Sequence, residues 1–152
     1  FELNEAVLDV LSLTRSDLLN TGITVQTQLA PELPAIQGDR VQLQQVLLNL
    51  VMNASQAMSH SAPADRRLSV TSVAAGTEVR LEIKDRGCGI APENLERVFE
   101  SFFTTRSEGM GLGLAVCRTI IGAHGGRIWA TNNADCGATF HISLPAIHEA
   151  SP

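Results

Sequence analysis

From Val41 to Ser59 nineteen consecutive residues carry no charge. Their polar members are nearly all amides. At about 100° per residue, Gln42, Gln45, Asn49, Asn53 and Gln56 share one face of a helix, and Val46, Leu47, Leu50, Val51, Ala54, Ala57 and Met58 fill the adjoining face. A solvent-facing helical stripe ordinarily carries Lys, Glu or Arg. Amides hold something polar without adding charge, and an Asn side-chain oxygen is a ligand for a hard cation.

The rest of the composition narrows the class. A chain of 152 residues is expected to form one domain, and 44% apolar residues is enough for an ordinary core. The net charge of −5, with Arg66-Arg67 as the only adjacent basic pair, excludes a nucleic-acid surface. Cys88, Cys117 and Cys136 form neither a disulfide framework nor a zinc pattern, which fits a reducing compartment. No apolar run reaches membrane-spanning length, so no membrane contact is expected. The chain starts at Phe1 without Met or a signal peptide and reads as a piece of something longer, cytoplasmic in location.

Periodicity predicts a helix over Asn4 to Asn20, with Asn4 as its cap, stopped by Thr21-Gly22. A strand follows over Ile23 to Leu29. Asp39 is placed to cap the amide helix, which ends near Ser59. Leu68 to Ala75 and Thr77 to Asp85 read as strands joined at Gly76, with Val79, Leu81 and Ile83 alternating against Arg80, Glu82 and Lys84. Pro92 opens a short helix to about Val98, and Leu112 to Ala123 forms another that stops at His124-Gly125-Gly126. Arg127 to Thr131 and Thr139 to Leu144 are the last strands. This order predicts a two-layer α/β sandwich: a mixed, mostly antiparallel sheet covered on one face by helices. Residues 1–145 make the domain and 146–152 a tail or linker.

Four segments carry chemistry. Asp85-Arg86-Gly87-Cys88-Gly89-Ile90 closes a strand with a carboxylate and a tight turn. Such a carboxylate accepts from an exocyclic amine like adenine N6 and disfavours a carbonyl in its place. Phe99-Glu100-Ser101-Phe102-Phe103-Thr104-Thr105-Arg106 holds three of the five phenylalanines. Phe99 reads as an anchor, and Thr104, Thr105 and Arg106 as the start of a lid, Arg106 reaching a terminal phosphate. Gly109-Met110-Gly111-Leu112-Gly113-Leu114 opens a helix, a site where free N–H groups and the helix dipole favour an anion. It matches neither a P-loop nor a dinucleotide fingerprint. In Gly137-Ala138-Thr139-Phe140, Thr139 is a candidate to offer its hydroxyl to a bound base.

With Asn49 and Asn53 of the amide helix ahead of them, these four segments resemble, in order, the N, G1, F, G2 and G3 boxes of the histidine-kinase ATP-binding domain, within the wider ATPase family that holds gyrase B. The finer texture, Asn-Ala-x-x-Ala-Met and Phe-Phe-Thr-Thr-Arg above all, is most similar to sensor kinases of the nitrogen-regulation and oxygen-sensing type. The resemblance implies the Bergerat ATP-binding fold and ATP with Mg²⁺ as cofactors. It implies Asn53 as the metal ligand assisted by Asn49, and Asp85 at the adenine amine with Gly87, Gly89 and Ile90 around the base. Gly109 to Leu114 would line the phosphates, Thr104 to Arg106 would belong to the lid, and Phe103 would join them in binding ATP.

Hydrolysing members of that family place a Glu general base where this chain has Asn49, and an amide cannot abstract a proton. The implied reaction is therefore transfer of the γ-phosphoryl group to a histidine on a separate dimerisation domain, with a response-regulator receiver domain downstream and the isolated domain monomeric. The catalytic set is Asn49, Asn53 and Arg106. His60, His124, His141 and His148 all read as structural or solvent-facing. Many relatives carry a basic and then an aromatic residue where this chain has Gln56 and Ala57, which predicts weaker nucleotide binding and leaves Arg106 to supply the charge. A nucleotide-binding pseudokinase module is the alternative reading.

Overall fold

The computed structural model describes residues 1–100 and 113–147. Helix α1 (Leu3–Leu13) buries Leu3, Ala6, Val7 and Val10 at helical spacing. The single N-terminal helix expected from the pattern is broken at Thr14. That residue is buried, its hydroxyl donates to the Val10 carbonyl at 2.9 Å, and α2 (Arg15–Asn20) starts anew beyond it. Back-bonding of this kind competes with the helical ladder and bends helices. Asn4 is not the cap. It lies inside α1, donating to the Ala30 carbonyl at 2.7 Å and accepting the Ser72 hydroxyl at 2.8 Å.

The amide helix is α3 (Arg40–Ala57). As expected, Asp39 caps it, accepting from the Val41 and Gln42 N–H groups at 2.9 and 3.2 Å. Leu43, Val46, Leu47, Leu50, Val51 and Ala54 are buried, whereas Gln42, Gln45 and Gln56 are exposed. α4 (Gly113–Ala123) packs beside it. His124, just past α4, bolts the two helices together. One ring nitrogen, Nδ1, donates to the Ile120 carbonyl at 2.8 Å and the other, Nε2, accepts from the Asp39 N–H at 3.0 Å. A side chain at position 38 would overlap that ring, hence Gly38.

Five strands form one sheet in the order β1 (Thr24–Leu29), β2 (Arg67–Ala75), β3 (Glu78–Lys84), β5 (Ala138–Pro145), β4 (Arg127–Asn132). β1 and β2 are parallel, linked through α3, and every other pairing is antiparallel. The inner face carries Leu68, Val70, Val79, Leu81, Ile83, Phe140, Ile142 and Leu144 against the helices. On the outer face Trp129 stacks on His141, ring centres 5.1 Å apart. Pro92–Asn94 and Arg97–Phe99 are two separate 3-10 turns rather than the short helix expected: their N–H groups bond three residues back, Asn94 to the Ala91 carbonyl at 2.8 Å and Glu100 to the Arg97 carbonyl at 2.9 Å. The second turn delivers Phe99 edge-on to Phe140 at 6.0 Å. Ala146 and Ile147, expected to begin a tail, are hydrogen-bonded to Thr77 and Ala35, while the rest of that tail, with His148, lies outside the described residues.

Arg66 gathers three carbonyls, of Ser61 at 3.1 Å, Thr21 at 2.7 Å and Ser59 at 3.1 Å, and so ties the ends of α2 and α3 together. Arg66→Ala is expected to lower stability by about 2 kcal/mol, read from the urea midpoint. Lys at this position should not restore it, because one ammonium lacks the planar fork. An unchanged midpoint in the Ala variant would refute the bracing role.

Candidate functional site

Asp85 follows β3 and is 1% exposed. Its Oδ1 accepts from the Gly87 N–H at 2.9 Å and the Ala138 N–H at 3.1 Å, and its own N–H donates to the Ala138 carbonyl at 2.9 Å. Burial holds its pKa above the ordinary carboxylate value, and the two N–H bonds work in the opposite direction. Strand alternation puts Lys84 outward and Asp85 inward, toward the helices.

The loop that follows is held from several sides. A Cβ at Gly87 would overlap the Ala57 carbonyl, so only glycine lets the turn lie directly on the end of α3. Ser61 donates to the Arg86 carbonyl at 3.1 Å. At Ile90 the backbone is gripped by one side chain. Its N–H donates to Asn132 Oδ1 at 2.8 Å, and its carbonyl accepts from Asn132 Nδ2 at 2.6 Å. Asn133 grips the other end. Its Nδ2 donates to the carbonyls of Asp85 at 2.9 Å and Cys136 at 3.0 Å. Gly137 sits at φ +82, where a Cβ would overlap the Asp85 carbonyl.

The amide face of α3 meets the start of α4. Asn49 Nδ2 donates to the Gly113 carbonyl at 3.3 Å and contacts Cys117 Sγ at 3.7 Å. Cys117 is buried, and burial pushes its thiol up to about 11, which makes it a packing residue rather than a nucleophile. Asn53, one turn further, is half-buried like Asn49. Leu114 packs against the core, and Gly113 opens the helix. Gln56 stands at the exposed end of the stripe, lining a cavity of about 240 Å³ with Thr21, Ser59 and Arg66.

Asp85, Gly87 and the end of α3 are thus brought together, as are Asn49 and Gly113. Thr139, the candidate to offer its hydroxyl to a base, lies in β5. It shares the outer face with His141, and its hydroxyl donates to Asn133 Oδ1 at 2.5 Å. The β5 residue that meets the Asp85 carboxylate is Ala138, through its backbone. Phe103, Thr104, Thr105, Arg106, Gly109, Met110, Gly111 and Leu112 lie outside the described residues. The sequence reading missed Asn132 and Asn133, whose only local signal is an Asn-rich approach to a glycine turn. Among the described residues no group of three His, Cys, Asp or Glu could hold a metal, and no helix is long and apolar enough to cross a membrane.

Residues 38–148 match the family of histidine kinase-, DNA gyrase B- and HSP90-like ATPases. The solved catalytic domain of the histidine kinase ThkA superposes with a TM-score of 0.85 at 35% identity, over 96% of this chain and 93% of that one. The chain belongs to the histidine-kinase catalytic domains. Membership brings ATP binding with it. The catalytic domain is also 44% identical over 128 residues to the sensor protein FixL of Bradyrhizobium diazoefficiens, covering 84% of this chain and 25% of that relative. The chain spans about a quarter of that relative's length. A second ThkA structure, in complex with the response regulator TrrA, matches with a TM-score of 0.82 at 33% identity, over 97% of this chain and 41% of that one. The mixed sheet with helices on one face, expected from the pattern of strands, is the fold that these catalytic domains share.

Proposed function

We propose that this domain binds ATP with Mg²⁺ between α3, the Asp85 loop and the start of α4, and passes the γ-phosphoryl group to a histidine on a separate dimerisation domain of the same kinase. The observation that carries the reading is the Asp85 carboxylate, buried and aimed by two backbone N–H groups at the end of a helix whose exposed polar face is all amide. Both of those bonds fall on Oδ1. Oδ2 is the atom that the base amine would meet.

At the other end the N-terminus of α4, beginning at Gly113 and Leu114, faces Asn49 and suits phosphate oxygens. The donor set fits Mg²⁺. This ion keeps most of its ligands as water and nucleotide phosphate, and it needs only one or two protein oxygens. Asn53 supplies such an oxygen on the same face, and among the described residues no carboxylate cage competes for the ion. When bound, the ion would neutralise charge building on the phosphates. Asn49, spent on Gly113 and without a basic atom, holds α4 and does not activate water. Phe103 to Arg106 and Gly109 to Leu112, assigned to the nucleotide by their sequence alone, would add lid and phosphate contacts, with Arg106 as the charge that Gln56 does not supply. Gly89 and Ile90 border the base.

ThkA has been solved with a response regulator. By extension a receiver domain takes the phosphoryl group onward from the histidine, in the cytoplasm, and the isolated domain is a monomer. Incubation with γ-labelled ATP, Mg²⁺ and a phosphoacceptor-helix domain should label a histidine on that second domain, with little free phosphate released. Binding without transfer would instead mark a regulatory module, and sustained phosphate release would refute the role given to Asn49.

A further inference from the structure

Two consecutive side chains at the end of β4 hold both ends of the loop that carries Asp85. Asn133 is bonded to the Asp85 carbonyl, and Asn132 closes two bonds on Ile90. They do this across 48 and 42 residues of sequence. Neither amide is free to turn. Asn133 Nδ2 is committed to the carbonyls of Asp85 and Cys136, which leaves Oδ1 to accept the Thr139 hydroxyl. The Asn133 N–H also donates to the Gly137 carbonyl at 2.9 Å. That bond shapes the turn from which Ala138 offers its N–H to the Asp85 carboxylate.

We propose that Asn132 and Asn133 are positioning residues for base recognition, fixing the Asp85–Ile90 loop at both ends and with it the direction in which the Asp85 carboxylate faces the base. The inference rests on the reading of Asp85 as the base-binding carboxylate. Asn133 acts on Asp85 twice, through its carbonyl and through the Gly137–Ala138 peptide. Asn132 sets how far the loop stands from β4, and a Cβ at Gly89 would already lie 3.2 Å from its Oδ1. Loss of either amide lets the carboxylate swing, and a misdirected acceptor no longer tells an amine from a carbonyl. A residue of merely structural importance would weaken all nucleotides alike.

The readout is therefore a ratio. Inosine triphosphate carries a carbonyl where ATP carries the 6-amino group. Calorimetric titration of both into the 152-residue chain gives the ATP-over-inosine preference. Asn133→Ala is expected to reduce that preference about tenfold, the size of one hydrogen bond to a charged group. Asn132→Ala should reduce it less but in the same direction. In an Asp85→Asn background, adding Asn133→Ala should change the preference less than about twofold, since coupled residues are not additive. Equal weakening of both nucleotides, or an unchanged preference, overturns the proposal. Should Asn133→Ala fail to fold, the exposed Asn132 is read by the same ratio and decides alone. If Asp85→Asn itself leaves the preference untouched, the base-site reading fails and the inference with it. If Asp85→Asn shifts it and neither asparagine variant does, the inference alone falls.

Discussion

Asp85→Asn is expected to weaken ATP binding by more than about a hundredfold while leaving the ligand-free domain at least as stable as the wild type at neutral pH. Asparagine keeps the shape and retains an Oδ1 for the Gly87 and Ala138 N–H groups. It replaces Oδ2 with an NH₂ that faces the base amine donor to donor, which leaves both unpaired in a buried site. The stability half of the expectation follows from the carboxyl's surroundings. Burial raises the Asp85 pKa above its unfolded value, so the folded state takes up that proton more readily than the unfolded chain. The ionised carboxylate therefore destabilises the ligand-free fold. The cost is absent in acid, and it grows as the pH rises from the ordinary carboxylate range through the raised pKa. Asn carries no such cost. Thermal melts at neutral and acid pH, with calorimetric titration of ATP, measure both halves. A variant that lost binding only because it had unfolded would sink the argument.

Gly137→Ala should cost about 3 kcal/mol or more of stability and abolish nucleotide binding with it. The residue sits at φ +82, a region that costs a side-chain-bearing residue about 1–2 kcal/mol. In addition the new methyl would overlap the Asp85 carbonyl and stand 2.7 Å from Asp85 Oδ1 and 2.8 Å from Arg86 Cα. Overpacking of this kind adds about 1–3 kcal/mol. Gly76 is the internal control. It turns the β2–β3 hairpin at φ +64 with nothing within 4 Å of a built Cβ. Gly76→Ala should therefore cost only the backbone share, about 1 kcal/mol. Urea denaturation of both variants reads the difference. Equal losses would show that the close approach at Gly137 carries no weight.

The elements set by local chemistry were legible in the sequence. Asp39 is a good cap followed by an apolar period, and β3 alternates without a fault, so both stand where the pattern puts them. Asp85 was legible because it ends such a strand just before two glycines. The break at Thr14 was not, because its hydroxyl chooses between solvent and the carbonyl a turn back only once the helix is buried. The face that Thr139 takes was legible too. Phe140, Ile142 and Leu144 mark the inner face of β5, and Thr139 falls on the other. Asn132 and Asn133 lay beyond reach because bonds from side chain to backbone across such separations leave no spacing to read.

The stacking of Trp129 on His141 has a practical consequence. It is the only tryptophan in the chain, and it lies on the sheet face turned away from α3 and α4. Its emission is tied to a histidine ring, and the Arg127 guanidinium sits 5.4 Å from its centre. Intrinsic fluorescence thus watches the back wall of the molecule, whose integrity depends on β4 and β5 pairing and not on what occupies the front. Loss of folding and loss of affinity, which variants around Asp85 threaten to confuse, are reported by opposite sides of one sheet.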